Sequence, residues 1–354
     1  MKGRGLRGRG ASHDSPNRYL PLHVELDPSE FAELEENPPP TEFFEDDSRS
    51  VVARNASPDL PFDSSVNPYR GCEHGCIYCY ARPYHEFLGF SSGLDFERKI
   101  LVKKRAPELL REALGRRSWR PRLISMSGVT DPYQPVERKL KLTRGCLEVL
   151  RDFRNPVGIV TKNHLVTRDA DVLGDLATHG CASVSISVTT LRNDLQRIME
   201  PRTSVPARRL DALRLLTDAG IPAGVMVAPV IPGLTDTELP AIVEAAAGSG
   251  AQFASFMPLR LPRGVEEHFV AWLENHFPDR AGKVMSRLRD TRGGNVTDSR
   301  FFRRFRGTGE YWAQVEGLFR ATVQKSGLNR KWPRLSTAAF RVPRGPQGDL
   351  FEPG

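Results

Sequence analysis

The sequence predicts an α/β fold, and within that class a partial (β/α)6, TIM-like barrel with a disordered N-terminal arm and a helical, basic C-terminal extension. Three observations carry this. Apolar runs of strand length alternate with amphipathic stretches of helix length, about thirty residues apart. The alternation supplies six units, too few for a closed eight-fold barrel but enough for a curved parallel sheet covered on both faces. Beyond Pro262 the alternation stops and only helical periodicity continues.

Taken in order, residues 1–50 read as a flexible arm. Its start, Met1-Lys-Gly-Arg-Gly-Leu-Arg-Gly-Arg-Gly10, is basic with no apolar core after it and does not read as a secretory signal. Glu35-Glu-Asn-Pro-Pro-Pro-Thr41 is too proline-rich to continue a helix, so only Ser29–Glu36 has room for a short one. The core is expected over residues 51–262. An extended lead-in containing Val51-Val-Ala, with turn signals at Asn55, Pro58 and Pro61, delivers the chain to a first strand near Ser65–Tyr69. Further strands are expected at Arg122–Ser127, Val157–Thr161, Ser183–Val188, Ala223–Pro229 and Gln252–Met257. Helices are expected between them at Pro107–Arg117, Leu140–Phe153, Asp169–Thr178, Arg208–Ala219 and Glu238–Ala247. Residues 263–340 read as helical and basic, with helices at Glu266–His276, Asp279–Arg289 and Tyr311–Lys325. Residues 341–354 form a Pro/Gly-rich tail.

No apolar run reaches membrane-spanning length, and five cysteines in 354 residues do not resemble a disulfide framework, so the expectation is a cytoplasmic protein without a membrane partner. The net charge of +8 is unevenly spread. Acids dominate from Glu25 to Asp59 against Arg49 and Arg54, whereas Arg280 to Arg344 holds many basic residues and only Asp290, Asp298, Glu310 and Glu316. A basic face suits a polyanion such as nucleic acid. The alternatives are that the acidic arm simply lies on the basic region, or that the arginine-rich composition reflects a genome's base bias.

Cys72, Cys76 and Cys79 fall within eight residues, spaced C-x3-C-x2-C, in the loop 67–83. Three thiolates so close can hold three irons of a [4Fe–4S] cluster and leave the fourth open, whereas tetrahedral zinc needs one more ligand, for which His74 or His85 is at hand. Tyr78 precedes the third cysteine, and Asn67-Pro-Tyr-Arg-Gly71 and Tyr80-Ala-Arg-Pro83 flank the set. With these residues the segment resembles the cluster loop of the radical S-adenosylmethionine (radical SAM) superfamily, in its spore photoproduct lyase-like branch. The resemblance implies the same (β/α)6 core. It also implies S-adenosyl-L-methionine (SAM) bound at the open iron, an electron donor for the cluster, and reductive cleavage of SAM to a 5′-deoxyadenosyl radical.

Ligand sites of such sheets lie at the carboxyl ends of the strands. There, Ser127-Gly-Val-Thr-Asp131 sits where the family places a loop at the methionine end of SAM, so Ser127, Gly128 and Thr130 become cofactor candidates by resemblance, although Ser-Gly-Val-Thr-Asp departs from the usual Gly-Gly-Glu. Lys162 closes the third strand, and Ser185 and Ser187 share one face of the fourth by period two, toward the barrel interior. Beside a cluster motif, Lys162 suits the SAM carboxylate and a serine the ribose hydroxyls; plain filler is the alternative for the serines. Glu200, Arg202 and Arg209 resemble a polar segment that supports the carboxylate, with a surface ion-pair network as the other reading. Pro229 and Val230 resemble the adenine-side segment, with Tyr78 against the same base. Phe256-Met-Pro258 is expected to wall the pocket or simply to pack in the core.

Outside the barrel, Arg300-Phe-Phe-Arg-Arg-Phe-Arg306 interleaves aromatics with arginines, a composition for stacking on bases and pairing with phosphates, or for docking phenylalanines on the barrel. Cys146 and Cys181 are expected as reduced core thiols. Gln347-Gly-Asp-Leu-Phe351 resembles the peptide by which repair proteins dock on a sliding clamp, with Gln347, Leu350 and Phe351 as contacts. The expected function is radical SAM chemistry on a large, nucleic-acid substrate, in DNA repair or modification. The alternatives are a protein or small-molecule substrate, or a non-catalytic iron–sulfur or zinc module that binds nucleic acid.

Overall fold

The structure is a computed structural model that describes residues 6–20, 40–328 and 332–343. The expected helix at Ser29–Glu36 and the clamp-like Gln347, Leu350 and Phe351 lie outside the described residues. In chain order the strands are β1 (Glu42–Glu45), β2 (Val52–Arg54), β3 (Ser64–Val66), β4 (Tyr69–Arg70), β5 (Lys99–Val102), β6 (Ile124–Met126), β7 (Val157–Thr161), β8 (Ala182–Ser187), β9 (Ala223–Val230) and β10 (Phe253–Pro258). Seven of them form one sheet in the order β10-β9-β8-β7-β6-β3-β2. Strands β3 and β6 to β10 are parallel, and β2 lies antiparallel on β3 as an edge. Since β10 and β2 remain unpaired edges, the barrel is partial, as six units require.

Strand register sorts the side chains. One face carries Ser125 beside Gly158 and Ser183, then Val160 beside Ser185 and Gly224, then Ser187 beside Met226 and Ser255. The other face carries Ile124, Val157 and Ala182, then Ile159, Val184 and Ala223, all buried in the main apolar core. The helices cover this second face. Helix Leu142–Phe153, for example, buries Cys146, Leu147, Val149, Leu150 and Phe153, a stripe at helical spacing. Small and hydroxyl residues are thereby left to line the barrel interior. At Gly224 even a methyl group would lie 2.3 Å from the Phe253 ring, so only glycine admits that ring.

Several elements depart from expectation. Strands β1, β5 and β4 form a small separate sheet beside the barrel, and helix Asn193–Met199 follows β8 without having been anticipated. Phe256 does not wall the interior; it lies 5.5 Å from Trp312 and 4.2 Å from Phe319, on helix Gly309–Lys325. Its neighbour across the sheet is Val227, a member of the outer core, so register puts Phe256 outside. Where the N-terminal arm is described it is packed against the core. Leu6, Arg9, Ala11 and Ser15 are buried, and β1 pairs with β5.

The extension has helices at Val265–His276, Pro278–Thr291 and Gly309–Lys325. Among the described acids from Glu42 to Asp59, most ion pairs are made away from the extension and one reaches it. Glu42, Glu45 and Asp46 pair with Arg98, Lys104 and Arg70, all before the barrel's second parallel strand, while Asp59 pairs with Arg304. No helix among the described residues is long and apolar enough to cross a membrane.

Candidate active site

Strands β3 and β4 feed a loop whose shape is fixed by backbone and by one buried ion pair. Gly71 and Gly75 take φ of +81° and +64°, and at Gly75 a Cβ would come within 2.7 Å of the Glu97 carboxylate. Arg82 is fully buried. It donates from Nε and Nη2 to the Cys76 carbonyl (3.1 and 2.9 Å), from Nη1 to the Gly93 carbonyl (2.8 Å), and pairs with Glu97. Glu97 in turn accepts from the Gly10 and Ala11 amides of the arm at 2.9 and 2.8 Å. From the other side, the Thr130 hydroxyl and the Gln134 amide donate to the Gly71 carbonyl (2.6 and 3.3 Å). A buried guanidinium with this many partners is compensated, which is what permits charge beneath the loop.

On this support the thiols of Cys72, Cys76 and Cys79 are free of disulfides, with Cys72 and Cys76 buried and Cys79 nearly so. Burial pushes the Cys79 thiol up to about 11 and the Cys76 thiol well above its ordinary range. Thiolates in such a place need a cationic partner, and a soft three-sulfur set suits iron–sulfur chemistry.

At the carboxyl ends of β7, β8 and β9 the polar residues converge on Glu200. It accepts hydrogen bonds from the Tyr78 hydroxyl, from Arg209 and from Thr189 Oγ1 (2.8 Å), and Lys162 Nζ stands 3.9 Å away. Burial would raise this carboxyl, but the charges of Arg209 and Lys162 and the Tyr78 hydrogen bond outweigh it and hold it at about 2. Lys162 Nζ donates to Ser187 Oγ (2.6 Å) and the Ala228 carbonyl (3.1 Å), with the Tyr78 ring 5.7 Å from it. Arg209 also ties down the Ser187 carbonyl (3.0 Å) and the Ser204 carbonyl (2.7 Å). Ser185 is fully buried on the interior face, and among the described residues its hydroxyl has no hydrogen-bond partner. A buried hydroxyl left unpaired is costly unless something else comes to meet it.

The comparisons with known proteins bear on this arrangement. A family model described as the radical SAM superfamily matches residues 66–246, about half of the chain, from the cluster loop through β9. The chain belongs to the radical SAM superfamily. Its curated relatives include an uncharacterised protein of Mycobacterium tuberculosis (strain ATCC 25618 / H37Rv), 36% identical over 65% of this chain and 67% of that protein. An uncharacterised protein of Methanocaldococcus jannaschii is 29% identical over 60% of this chain and 76% of its own length. Among solved structures, a variant of spore photoproduct lyase matches with a TM-score of 0.56 at 15% identity, covering 81% of this chain and 80% of that one. Spore photoproduct lyase complexed with dinucleoside spore photoproduct matches with a TM-score of 0.55 at 16% identity, over 80% and 79%. The likeness to these structures is one of fold.

As a radical SAM enzyme the chain uses a [4Fe–4S] cluster and SAM, and its residues fit both. Cys72, Cys76 and Cys79, together on one loop, are the residues that would hold the cluster. The zinc alternative fits poorly. His74 has both ring nitrogens engaged, Nδ1 with Asp131 (3.2 Å) and Nε2 with the Asn163 amide (3.2 Å), and the Asn163 carbonyl oxygen is itself taken by the Leu165 amide. His85 is packed between Phe90 and Phe96. Among the described residues no three or more His, Cys, Asp or Glu side chains gather as a site for a single ion. On the SAM side, the unpaired Ser185 hydroxyl faces the interior, and Lys162 offers a charge at its rim.

Not every residue expected to touch SAM is placed to do so. Thr130 is turned down onto Gly71, where it holds the cluster loop. Arg202 sits with Glu73 (3.4 Å) and Thr41 (3.3 Å) at the arm, apart from the Glu200 network. The Val230 side chain belongs to the outer core, so β9 offers a ligand its backbone there, while Pro229 beside it is half-buried. Ser127 and Gly128 lie half-buried in the loop after β6, Ser127 Oγ 3.5 Å from Ser125 Oγ. Asp131 receives Thr161 Oγ1 (2.7 Å), the Lys162 amide (2.9 Å) and His74, and so fixes where Lys162 begins.

Sequence reasoning missed Thr189, Gln134, Glu97 and Arg82. Thr189 was findable, since it continues the interior series Ser185, Ser187. Gln134 and Glu97 gave no signal, because Gly71 and Gly10 lie far from them in the chain, whereas Arg82 stands in the Tyr80-Ala-Arg-Pro83 flank with its partners Cys76, Gly93 and Glu97 close by. Neither remaining cysteine reaches the interior: Cys146 is in the outer core on helix Leu142–Phe153, and Cys181 directs its thiol to the Arg154 and Ser336 carbonyls (3.3 and 3.4 Å).

Proposed function

We propose that this radical SAM enzyme acts on nucleic acid, abstracting hydrogen from a nucleotide brought to the carboxyl-end rim of the partial barrel, in DNA repair or modification. The observation that carries this reading is the exposed basic surface beside the cluster loop. Arg300, Arg303 and Arg306 are exposed, and Arg260, at the rim after β10, reaches over Tyr80, the residue next to Cys79. An exposed arginine-rich surface, on which Asp298 is shared between Arg300 and Arg303, suits a polyanion partner. The fold likeness adds support, since a solved spore photoproduct lyase holds both AdoMet and a dinucleoside spore photoproduct.

The [4Fe–4S] cluster with SAM supplies a 5′-deoxyadenosyl radical; the chain's own residues bind, aim and exclude. Lys162, set by Asp131, is placed to meet the SAM carboxylate. Ser185 is placed to meet a ribose hydroxyl. Glu200 neutralises Lys162 and Arg209 in the absence of ligand and keeps the Tyr78 phenol oriented. The Glu97–Arg82 pair, with the arm over it, keeps water from the loop beneath the cysteines. Through Gln347, Leu350 and Phe351, the tail is further proposed to tether the enzyme to a sliding clamp, which binding of the tail peptide to the host's own clamp would test.

The test is anaerobic reconstitution with iron and sulfide, reduction with SAM present, and measurement of 5′-deoxyadenosine with and without added DNA and RNA. The reading expects nucleic acid to stimulate 5′-deoxyadenosine formation. It also expects binding that weakens with log salt by about 0.9 per phosphate contact on duplex. A flat salt dependence with no stimulation would instead point to a protein or small-molecule substrate.

A further inference from the structure

The segment Arg300–Arg306 is held firmly yet leaves two of its rings bare. Arg292, itself buried, donates from Nη1 to the carbonyls of Arg304 (3.2 Å) and Arg306 (2.8 Å) and from Nη2 to that of Leu259 (2.7 Å). Asp59, in the connection between β2 and β3, accepts from Arg304 Nε (2.9 Å) and from the Phe302 amide (3.0 Å). Leu259 follows β10 and Asp59 follows β2, the two unpaired edges of the sheet. The segment therefore bridges the open side of the barrel. Asp298 braces its start, accepting from the Arg300 amide and Nε, both at 3.0 Å, with Arg303 Nε 3.4 Å away, so that a phosphate at Arg303 would share it with this acid.

Within this frame Phe302 takes φ +63°, a left-handed conformation that a bulky residue rarely adopts. Burial does not explain it, for Phe302 is 58% and Phe301 51% exposed. A strained backbone kept by surrounding bonds commonly serves to aim a side chain. Here it aims a ring at solvent. Arg304 lies over the Phe301 and Phe305 rings (5.0 and 4.7 Å), and Arg260 over Phe305 and Tyr80 (5.0 and 5.7 Å). An alternating series of rings and guanidinium groups thus runs from the segment to the residue beside Cys79.

We infer that residues 298–306 form a stacking platform for unpaired nucleobases, with Phe301 and Phe302 under the bases and Arg303 and Arg306 at the phosphates. The inference rests on the nucleic-acid reading above and narrows it. Exposed rings need the face of a base, which a duplex hides in its stack, while a single strand or an extruded nucleotide presents it. An acidic protein would satisfy the arginines but would give these rings no planar partner.

The test uses the full chain and a fluorescent single-stranded oligonucleotide, with the matching duplex, followed by anisotropy. Wild type binds the single strand more tightly. Phe301→Ala/Phe302→Ala lowers single-strand affinity by about 30-fold or more with the salt slope unchanged, since two stacked bases are lost without loss of charge. Phe301→Tyr/Phe302→Tyr keeps the affinity, which separates loss of a ring from misfolding. Arg303→Gln/Arg306→Gln lowers the single-strand salt slope by about 0.7 per lost contact. Unaltered affinity in the double alanine variant overturns the platform while leaving the nucleic-acid reading standing. Absence of binding to either form at low salt overturns that reading itself. Displacement by polyglutamate as effective as by unlabelled oligonucleotide overturns both in favour of an acidic protein partner.

Discussion

Arg82 and Arg209 under the site, and Arg303 and Arg306 at its edge, use one functional group in opposite ways. The first two are among the largest fully buried side chains of the protein. Their donors go mostly to carbonyls and to Glu97 or Glu200. The latter two are exposed, Arg303 with Asp298 3.4 Å away, and the described acids of the N-terminal stretch pair mostly elsewhere. The net charge of +8 therefore mixes two populations. Arginines that hold the active site together add nothing to a basic face, and burial with its hydrogen-bond count tells the two apart.

The comparison breaks first, and most completely, at the cysteines. Cys72→Ala, Cys76→Ala or Cys79→Ala should each abolish the cluster, while Cys146→Ala and Cys181→Ala keep it. Iron content and the visible absorption band of each reconstituted variant are the readout. Loss of the cluster in Cys146→Ala would move the ligand set off the cysteine loop.

Next in size is the contrast between buried and exposed guanidinium groups. Arg82→Ala leaves Glu97 buried and unpaired and should destabilise the fold by about 3–5 kcal/mol. Arg303→Ala should stay within about 0.5 kcal/mol of wild type. Denaturant unfolding of both variants measures the difference, and equal midpoints would erase the distinction drawn here.

Lys162 stands between the two populations, half-buried and charged. Lys162→Ala should weaken SAM binding by about 1.5–3 kcal/mol, with cluster content unchanged, because a charge-assisted contact is lost. Ser187→Ala should weaken it less, through looser placement of Lys162. Calorimetric titration of the reduced protein with SAM decides this, and unchanged affinity in Lys162→Ala would remove that residue from the pocket.

The smallest effect concerns pH. Glu200 is held at about 2, below its ordinary 4.5. The stability it contributes is fully present above about pH 4.5 and is lost as pH falls through about 2. The stability gap between wild type and Glu200→Gln in the cluster-free protein should thus be constant at neutral pH and shrink on acidification. A gap that widened toward low pH would mean that Glu200 is protonated in the folded state.

How much of this could be read from the sequence follows the range of the interactions. Period two placed Ser185 and Ser187 on the interior face, and β7 and helix Leu142–Phe153 were legible because strand and helix periods are local. The cysteine loop was legible because its ligands are close in sequence. By contrast, the Glu97 link to Gly10 and Ala11 spans most of a hundred residues, and glycine-rich sequence gave no hint that the arm would pack. Phe256 was ambiguous until register with Val227 put it outside. Thr130 was expected at SAM because of its loop, yet its hydroxyl turned to the nearest buried carbonyl.

The most direct test of the central claim follows the abstracted hydrogen. DNA and RNA extracted from bacteria grown in deuterated water are supplied to the reconstituted, reduced enzyme with SAM, and 5′-deoxyadenosine is analysed by mass spectrometry. If the radical acts on nucleic acid, deuterium appears in 5′-deoxyadenosine with one of these polymers and is absent with unlabelled material. Formation of 5′-deoxyadenosine in equal yield with no deuterium from either polymer would contradict the account.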